Sequence, residues 1–299
     1  MSDESWIQRV TSLNQWQRNG ERAPHKPLLL LYAIGRLQRT GSSSMSFAVA
    51  ESDLRHLIEE YGPPRPAHPE YPFHHLVNDG LWEVRTPAGP GSPGTRLSDL
   101  RAGAVGELAP DFARAIEGEP SLFAEVVRAI LDTNFPGTLH DDVLSSVGIN
   151  LEPSELQQAR PKSVRRRDPA FREMVLTAYE YQCAVCGYDG QLFREAVGLE
   201  AAHVRWWAAD GPDELSNALA LCSLHHKLFD RGAIGATLNH EVMVSSHFIG
   251  RSEAADTVVL SLVGRPLVMP QSGQPQPHPT QIAWHHKEVF RTPERQLVR

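Results

Sequence analysis

Apolar residues recur at helical intervals through the first half of the chain. Across residues 4–18, Trp6, Val10, Leu13 and Trp16 fall three or four positions apart and stop before Asn19-Gly20, which predicts a first helix. A second is expected from Pro27 through Leu28-Leu29-Leu30-Leu31-Tyr32-Ala33 to about Gln38, with Gly41 beyond its end. Residues 52–61 read as a third. A proline-rich turn (Pro63, Pro64, Pro66, Pro69) then leads into Tyr71-Pro72-Phe73-His74-His75-Leu76. Leu81-Trp82-Glu83-Val84 predicts a strand and Thr95-Arg96-Leu97 a return strand across a Pro/Gly-rich loop, together a wing-like hairpin. Helices over residues 110–116 and 121–131 would close a mainly helical N-terminal domain.

The periodicity weakens from residue 134 to about 162, which places the interdomain connection there. Asp168 then reads as an N-cap with Pro169 at the first helical position and Phe171, Val175 and Ala178 as an apolar stripe. Residues 270–279, rich in Pro and Gln, are a loop in an expected short β-rich tail. The fold class is α+β: a mainly helical domain over 1–150, a basic connection over 151–168, and a second domain over 169–299.

A chain of 299 residues that is 41% hydrophobic can bury two cores. No apolar run reaches the ~18 residues needed to span a bilayer, and the first residues lack the basic start and apolar stretch of a signal peptide, so a cytoplasmic protein is expected. The net charge of −7 argues against a nucleic-acid partner until its distribution is considered. Arg160, Lys162, Arg165, Arg166, Arg167 and Arg172 face a single acid, Asp168, within one short run. That run suits either a solvated connection or a phosphate-contacting segment. At the second helix, His25-Lys26-Pro27 sets two potential cations at the positively polarised end, where an anion is the natural partner.

The three cysteines are an odd number with two in a Cys-x-x-Cys pair, a poor basis for a disulfide framework. Cys183-Ala184-Val185-Cys186 is followed, 36 positions after Cys186, by Cys222-Ser223-Leu224-His225. Two such pairs make a tetrahedral Cys3His set suited to a structural Zn²⁺ with no open position. A zinc deaminase would require His-x-Glu before its cysteines, whereas this chain has Glu200-Ala201-Ala202-His203.

Between and beyond the zinc pairs lie Leu199-Glu200-Ala201-Ala202-His203, Ser216-Asn217-Ala218 and His225-His226-Lys227-Leu228-Phe229-Asp230. Over residues 179–235 this pattern resembles the HNH (ββα-metal) endonucleases, with His203, Asn217 and His226 at the three defining positions. The resemblance implies that His203, ending the first strand of a hairpin, is the general base, and that Asn217 in the hairpin loop holds its ring in line by bonding backbone. It further implies that His226 and Asp230, one helical turn apart, bind a divalent metal, for which Mg²⁺ or Mn²⁺ is the natural choice. Many members carry an Asp or His ligand just before the base. Here that position is Ala202, which leaves the ligand set open.

The N-terminal half, through Pro24-His25-Lys26-Pro27-Leu28-Leu29-Leu30-Leu31-Tyr32, Tyr71-Pro72-Phe73 and the Trp82 strand, resembles the sulfur-binding domain of type IV restriction enzymes that attack phosphorothioated DNA and pair it with a C-terminal HNH nuclease. The resemblance implies a shallow apolar pocket from Tyr71 and Pro72 for the soft, weakly hydrated sulfur. His25 and Lys26 would neutralise the backbone, and Arg96 would reach a phosphate or base edge, a role for which Arg101 competes. The expected partner is double-stranded, phosphorothioated DNA cut by a homodimer. The alternatives are an HNH enzyme reading methylated cytosine and a non-catalytic, zinc-stabilised DNA-binding protein.

Overall fold

The computed structural model describes residues 3–15, 21–159, 168 and 170–296. Trp16, Pro169 and the basic residues Arg160, Lys162, Arg165, Arg166 and Arg167 lie outside them. The chain divides into two compact units, Met1–Arg165 and Arg166–Arg299. Each has its own apolar core. Among the described residues no helix is long and apolar enough to cross a membrane.

The first unit is organised around helix His25–Thr40. Leu28, Leu29, Leu30 and Leu31 are all fully buried, so the helix is apolar on every side over one turn and must be enclosed. Helices Phe47–Tyr61, Glu70–His75, Pro120–Asn134 and His140–Val147 surround it. The last of these falls in the stretch expected to be a connection. Its apolar signal is short, only Val143, Leu144 and Val147, before Gly148 ends it at φ 68°.

An antiparallel sheet of four short strands covers one flank in the order Met45–Ser46, Val105–Leu108, Trp82–Thr86, Gly89–Pro90. The wing-like hairpin therefore exists, but its return strand is Gly89–Pro90 and not Thr95-Arg96-Leu97. Arg96 instead caps helix Leu97–Arg101, because Leu97 and Leu100 follow a helical spacing that buries Leu100. Gly106 is required by packing: a Cβ there would stand 2.1 Å from the Trp82 ring. The Trp82 indole donates to the Phe73 carbonyl at 3.1 Å and meets the Phe73 ring edge-on at 5.4 Å. This anchors the segment that carries Tyr71 and Pro72.

The second unit begins with helix Phe171–Ala178, whose Phe171, Val175 and Ala178 are buried as expected. Asp168 accepts the Ala170 amide at 2.9 Å but is not the N-cap expected from sequence, because the helix begins at Phe171 with Ala170 in that position. Hairpin Leu199–His203/Ala218–Cys222 follows, then helix Ser223–Asp230. The tail is less β-rich than expected. A hairpin, Ile234–Ala236/Val242–Val244, is joined by helices Glu253–Val258 and Pro279–Glu288.

Candidate nuclease centre and DNA-reading surface

Strand register places Leu199 opposite Cys222 and His203 opposite Ala218. Small residues make the sandwich possible: Ala202, Ala218 and Ala220 are buried, and helices Phe171–Ala178 and Ser223–Asp230 both pack on this hairpin. His203 ends the first strand, with its ring stacked on Phe171 at 4.3 Å and 14°. Its Nε2 lies 2.7 Å from Asp213 Oδ1, and the other Asp213 oxygen accepts the Asp168 amide at 2.9 Å.

Asn217 is completely buried and closes the loop between the strands. Its Oδ1 accepts the Arg205 amide at 2.7 Å, while Nδ2 donates to the Arg205 and Pro212 carbonyls, each at 3.0 Å. Gly211 lets the loop fold this tightly: a Cβ would meet the Arg205 oxygen at 1.9 Å.

Helix Ser223–Asp230 places His226 and Asp230 one turn apart, with Nε2 and Oδ2 separated by 3.3 Å. The other ring nitrogen, Nδ1, lies 2.6 Å from Glu200 Oε2. Burial opposes the charge on His226, but Asp230 and Glu200 outweigh it and raise the pKa to about 9. The hydrogen bond to His226 in turn lowers Glu200, whose other oxygen accepts from Ser223 at 2.7 Å. His226 and Asp230 offer a nitrogen and an oxygen on one side of the ring, a pair that fits a hard divalent ion completed by water and phosphate.

The ligand atoms of Cys183, Cys186, Cys222 and His225 all lie within 4.8 Å of one another, the one such group of three or more among the described residues. Cys222 ends a strand and His225 lies in the helix turn that follows. Gly187 at φ 73° permits the tight turn bearing Cys183 and Cys186. Hydrogen bonds from Cys186 and Cys222 hold the Cys183 thiol far below its ordinary value. Burial would strip the proton from His225, yet its bonds to Cys183 and Cys222 raise it to about 10. Its Nε2 is oriented by the Val258 carbonyl at 2.8 Å, as metal-bound imidazoles generally are. Four such donors, one already thiolate-like, fit a closed metal site.

In the first unit, Tyr71 is exposed and stacks on His68 at 4.8 Å and 20°, whereas the Pro72 ring is buried. His25 opens the central helix, where burial, reinforced by His68, Arg22 and Arg65, lowers its pKa to about 4. His68, Arg22 and Arg65 accompany the residues expected from sequence. Lys26 faces elsewhere: its buried ammonium lies 2.6 Å from Asp79 and 2.7 Å from the Asn14 carbonyl. Arg96 extends into solvent with Asp99 at 4.0 Å, while Arg101 is held by two 2.7 Å bonds to Glu51. Of the basic run, the described Arg172 donates to the Leu199 carbonyl at 3.0 Å.

Sequence spacing missed Glu200, Asp213 and His68. Strand alternation could have found Glu200, which shares a strand face with Ala202. Asp213 gives no periodic signal because a loop delivers it.

Two family models match. One, described as ScoMcrA-like, DNA sulfur-binding domain, covers residues 3–152, and the other, HNH endonuclease, covers residues 183–235. Among solved structures, the sulfur-binding domain of SprMcrA complexed with phosphorothioated DNA is 25% identical, covering 50% of this chain and 95% of that one, with a TM-score of 0.43. The corresponding ScoMcrA domain complex is 25% identical over 52% of this chain and 98% of that one, with a TM-score of 0.41. The type IV phosphorothioation-dependent restriction endonuclease ScoMcrA is 24% identical over 54% of this chain and 30% of that one, with a TM-score of 0.38. No curated protein matches.

Proposed function

The chain belongs to the ScoMcrA-like DNA sulfur-binding domain family and carries an HNH endonuclease domain after it, and from this premise we propose a type IV restriction endonuclease that reads phosphorothioated DNA and hydrolyses its phosphodiester bonds. The observation that carries the reading is the presence, in one chain, of a sulfur-reading family domain and a ββα centre where His203, Asn217, His226 and Asp230 share one hairpin and helix.

In this reading residues 1–150 select the DNA, 151–168 connect, and 169–299 cut. His203 takes the proton of the attacking water, and Asn217 fixes the loop beside it. His226 and Asp230 hold Mg²⁺ or Mn²⁺. Such an ion supplies Lewis acidity at the scissile phosphate. Cys183, Cys186, Cys222 and His225 hold a structural Zn²⁺.

Tyr71 supplies the exposed apolar contact for sulfur, whose weak hydration makes its burial cheaper than that of a phosphate oxygen, while Pro72, buried beneath it, supports that ring and does not line the pocket as expected from sequence. With a pKa of about 4, His25 is neutral near pH 7 in the DNA-free chain, so Arg22 and Arg65 supply the positive field. Arg96 is free to reach a phosphate or base edge, and Lys26 contributes by holding the helix start. Each chain has one HNH centre and cuts one strand, so double-strand cleavage calls for a homodimer. Action on incoming DNA implies a cytoplasmic location.

The test is cleavage of two duplexes of one sequence, with and without a stereodefined phosphorothioate, in Mg²⁺ or Mn²⁺, with His203→Ala as control. Cutting of the sulfur-bearing duplex alone, abolished in the variant, is the expected result. Equal cutting of both would keep the nuclease and remove the sulfur reading, and cutting of neither would remove the sulfur reading in favour of another mark or of a protein that only binds DNA.

A further inference from the structure

We infer that Asp213 is a positioning residue for His203: its carboxylate fixes the tautomer and aim of the imidazole, and Asn217 acts on the ring by building the loop that delivers Asp213. The inference rests on the reading of His203 as general base. The contact is short, 2.7 Å from Asp213 Oδ1 to His203 Nε2, with both side chains largely shielded from water. An ionised carboxylate only accepts hydrogen bonds, so Nε2 must be the donor. The neutral ring then carries its lone pair on Nδ1, the nitrogen to which this inference assigns the proton of water.

The loop leaves Asp213 little freedom. Its second oxygen accepts the Asp168 amide at 2.9 Å, so the carboxylate plane is set from both ends. The preceding carbonyl, Pro212, is held by Asn217 Nδ2 at 3.0 Å, and the Val204 amide donates to the Asn217 carbonyl at 2.9 Å. Asn217 thus touches backbone on both sides of the loop. Asp213 carries that order to the ring through its 2.7 Å contact with Nε2. Phe171, stacked at 4.3 Å, blocks rotation of the imidazole out of plane.

In the step itself the water O–H bond breaks and its proton passes to Nδ1 of His203 as the new P–O bond forms. The P–O3′ bond breaks, and the departing oxygen takes a proton from solvent. The imidazolium keeps its Nε2–H bond to Asp213, whose negative charge lies beside the new positive one.

The arrangement makes a prediction that steric conservation does not. In Asp213→Asn the Asp168 amide remains a donor and claims the amide oxygen. The side-chain NH₂ then faces Nε2 and forces the ring to accept there, which places the proton on Nδ1 and blocks the base. Asp213→Ala loses the orientation but imposes no wrong tautomer. Asparagine should therefore be worse than alanine: single-turnover cleavage falls about 100-fold or more in Asp213→Asn and less in Asp213→Ala. Duplex affinity without divalent metal, and bound zinc, stay at wild-type levels.

The wild-type protein offers an independent readout. With ¹⁵N-histidine labelling, the imidazole signal absent from His203→Ala should report protonated Nε2 and bare Nδ1. A wild-type signal showing protonated Nδ1, cleavage by Asp213→Asn within threefold of wild type, or alanine worse than asparagine would overturn the inference. Loss of activity in His203→Ala with retention in Asp213→Asn removes only the pairing, whereas retention in His203→Ala removes the base reading beneath it.

Discussion

Lys26 shows how far a residue's sequence position can stand from its physical role. At the start of an apolar helix it suggests a phosphate contact, yet its ammonium is buried against Asp79. Removing one partner of such a pair leaves an uncompensated buried charge, a cost of about 3 kcal/mol. Lys26→Met should lower the unfolding midpoint by several degrees and leave the salt dependence of DNA binding unchanged. Arg96→Ala should do the reverse, reducing the log–log salt slope by about 1 with little change in stability, as titrations at several salt concentrations would show. His226 carries a prediction of opposite character. Its pKa of about 9 exceeds the ordinary 6.5, so proton binding stabilises the metal-free fold below pH 6.5, and that contribution is lost as pH rises through 9. The same proton must leave before His226 can ligate a metal. Mn²⁺ affinity by calorimetry should therefore rise by up to about tenfold per pH unit from pH 7 toward 9, and a flat profile would exclude His226 as a ligand. The letters His203, Asn217 and His226 were legible because their spacing is fixed by one hairpin and one helix. Glu200 and Asp213 were not, since each becomes a neighbour only through register or loop closure.

At the level of elements, the Cys3His cluster ties together three structures that also pack in one core. Cys183 and Cys186 come from a tight turn, Cys222 from the end of a strand, and His225 from the first turn of a helix. A single ion would fix the helix start against the hairpin, and with it the placement of His226 and Asp230. Stripping that ion with a strong chelator should abolish cooperative unfolding of the second unit and all cleavage, even with excess Mg²⁺ restored. Binding of phosphorothioated duplex by the first unit should persist, as anisotropy with calorimetry would show. The pattern of the chain read these elements unevenly. Helices with strong stripes, such as Pro120–Asn134, were visible, and so was the Trp82 strand. Helix His140–Val147 was not, because eight residues give barely two turns of periodicity. Strand Gly89–Pro90 lacks any strand composition and pairs only because Trp82–Thr86 offers an edge to it.

Across the whole molecule, the excess of acid over base does not forbid a polyanionic partner, because basic residues cluster at two places. One is the pair Arg22 and Arg65 beside His25, and the other is the run from Arg160 to Arg172. Two cores in one chain separate reading from cutting, and that separation sets the stoichiometry problem. Each chain has one ββα centre, while the strands of a duplex run in opposite directions, so a single centre cannot address both scissile bonds in one pose. The proposed homodimer would resolve this with one centre per strand. The mixing experiment is decisive on this point. Wild-type chains combined with an excess of His203→Ala chains and allowed to exchange would form mixed dimers with one working centre. On a plasmid with one modified site these should release nicked circles, while wild type alone linearises the plasmid without accumulating them. If the excess variant only slows linearisation by competition and no nicked circle builds up, the two cuts are not made by two chains acting together, and the dimer must be abandoned.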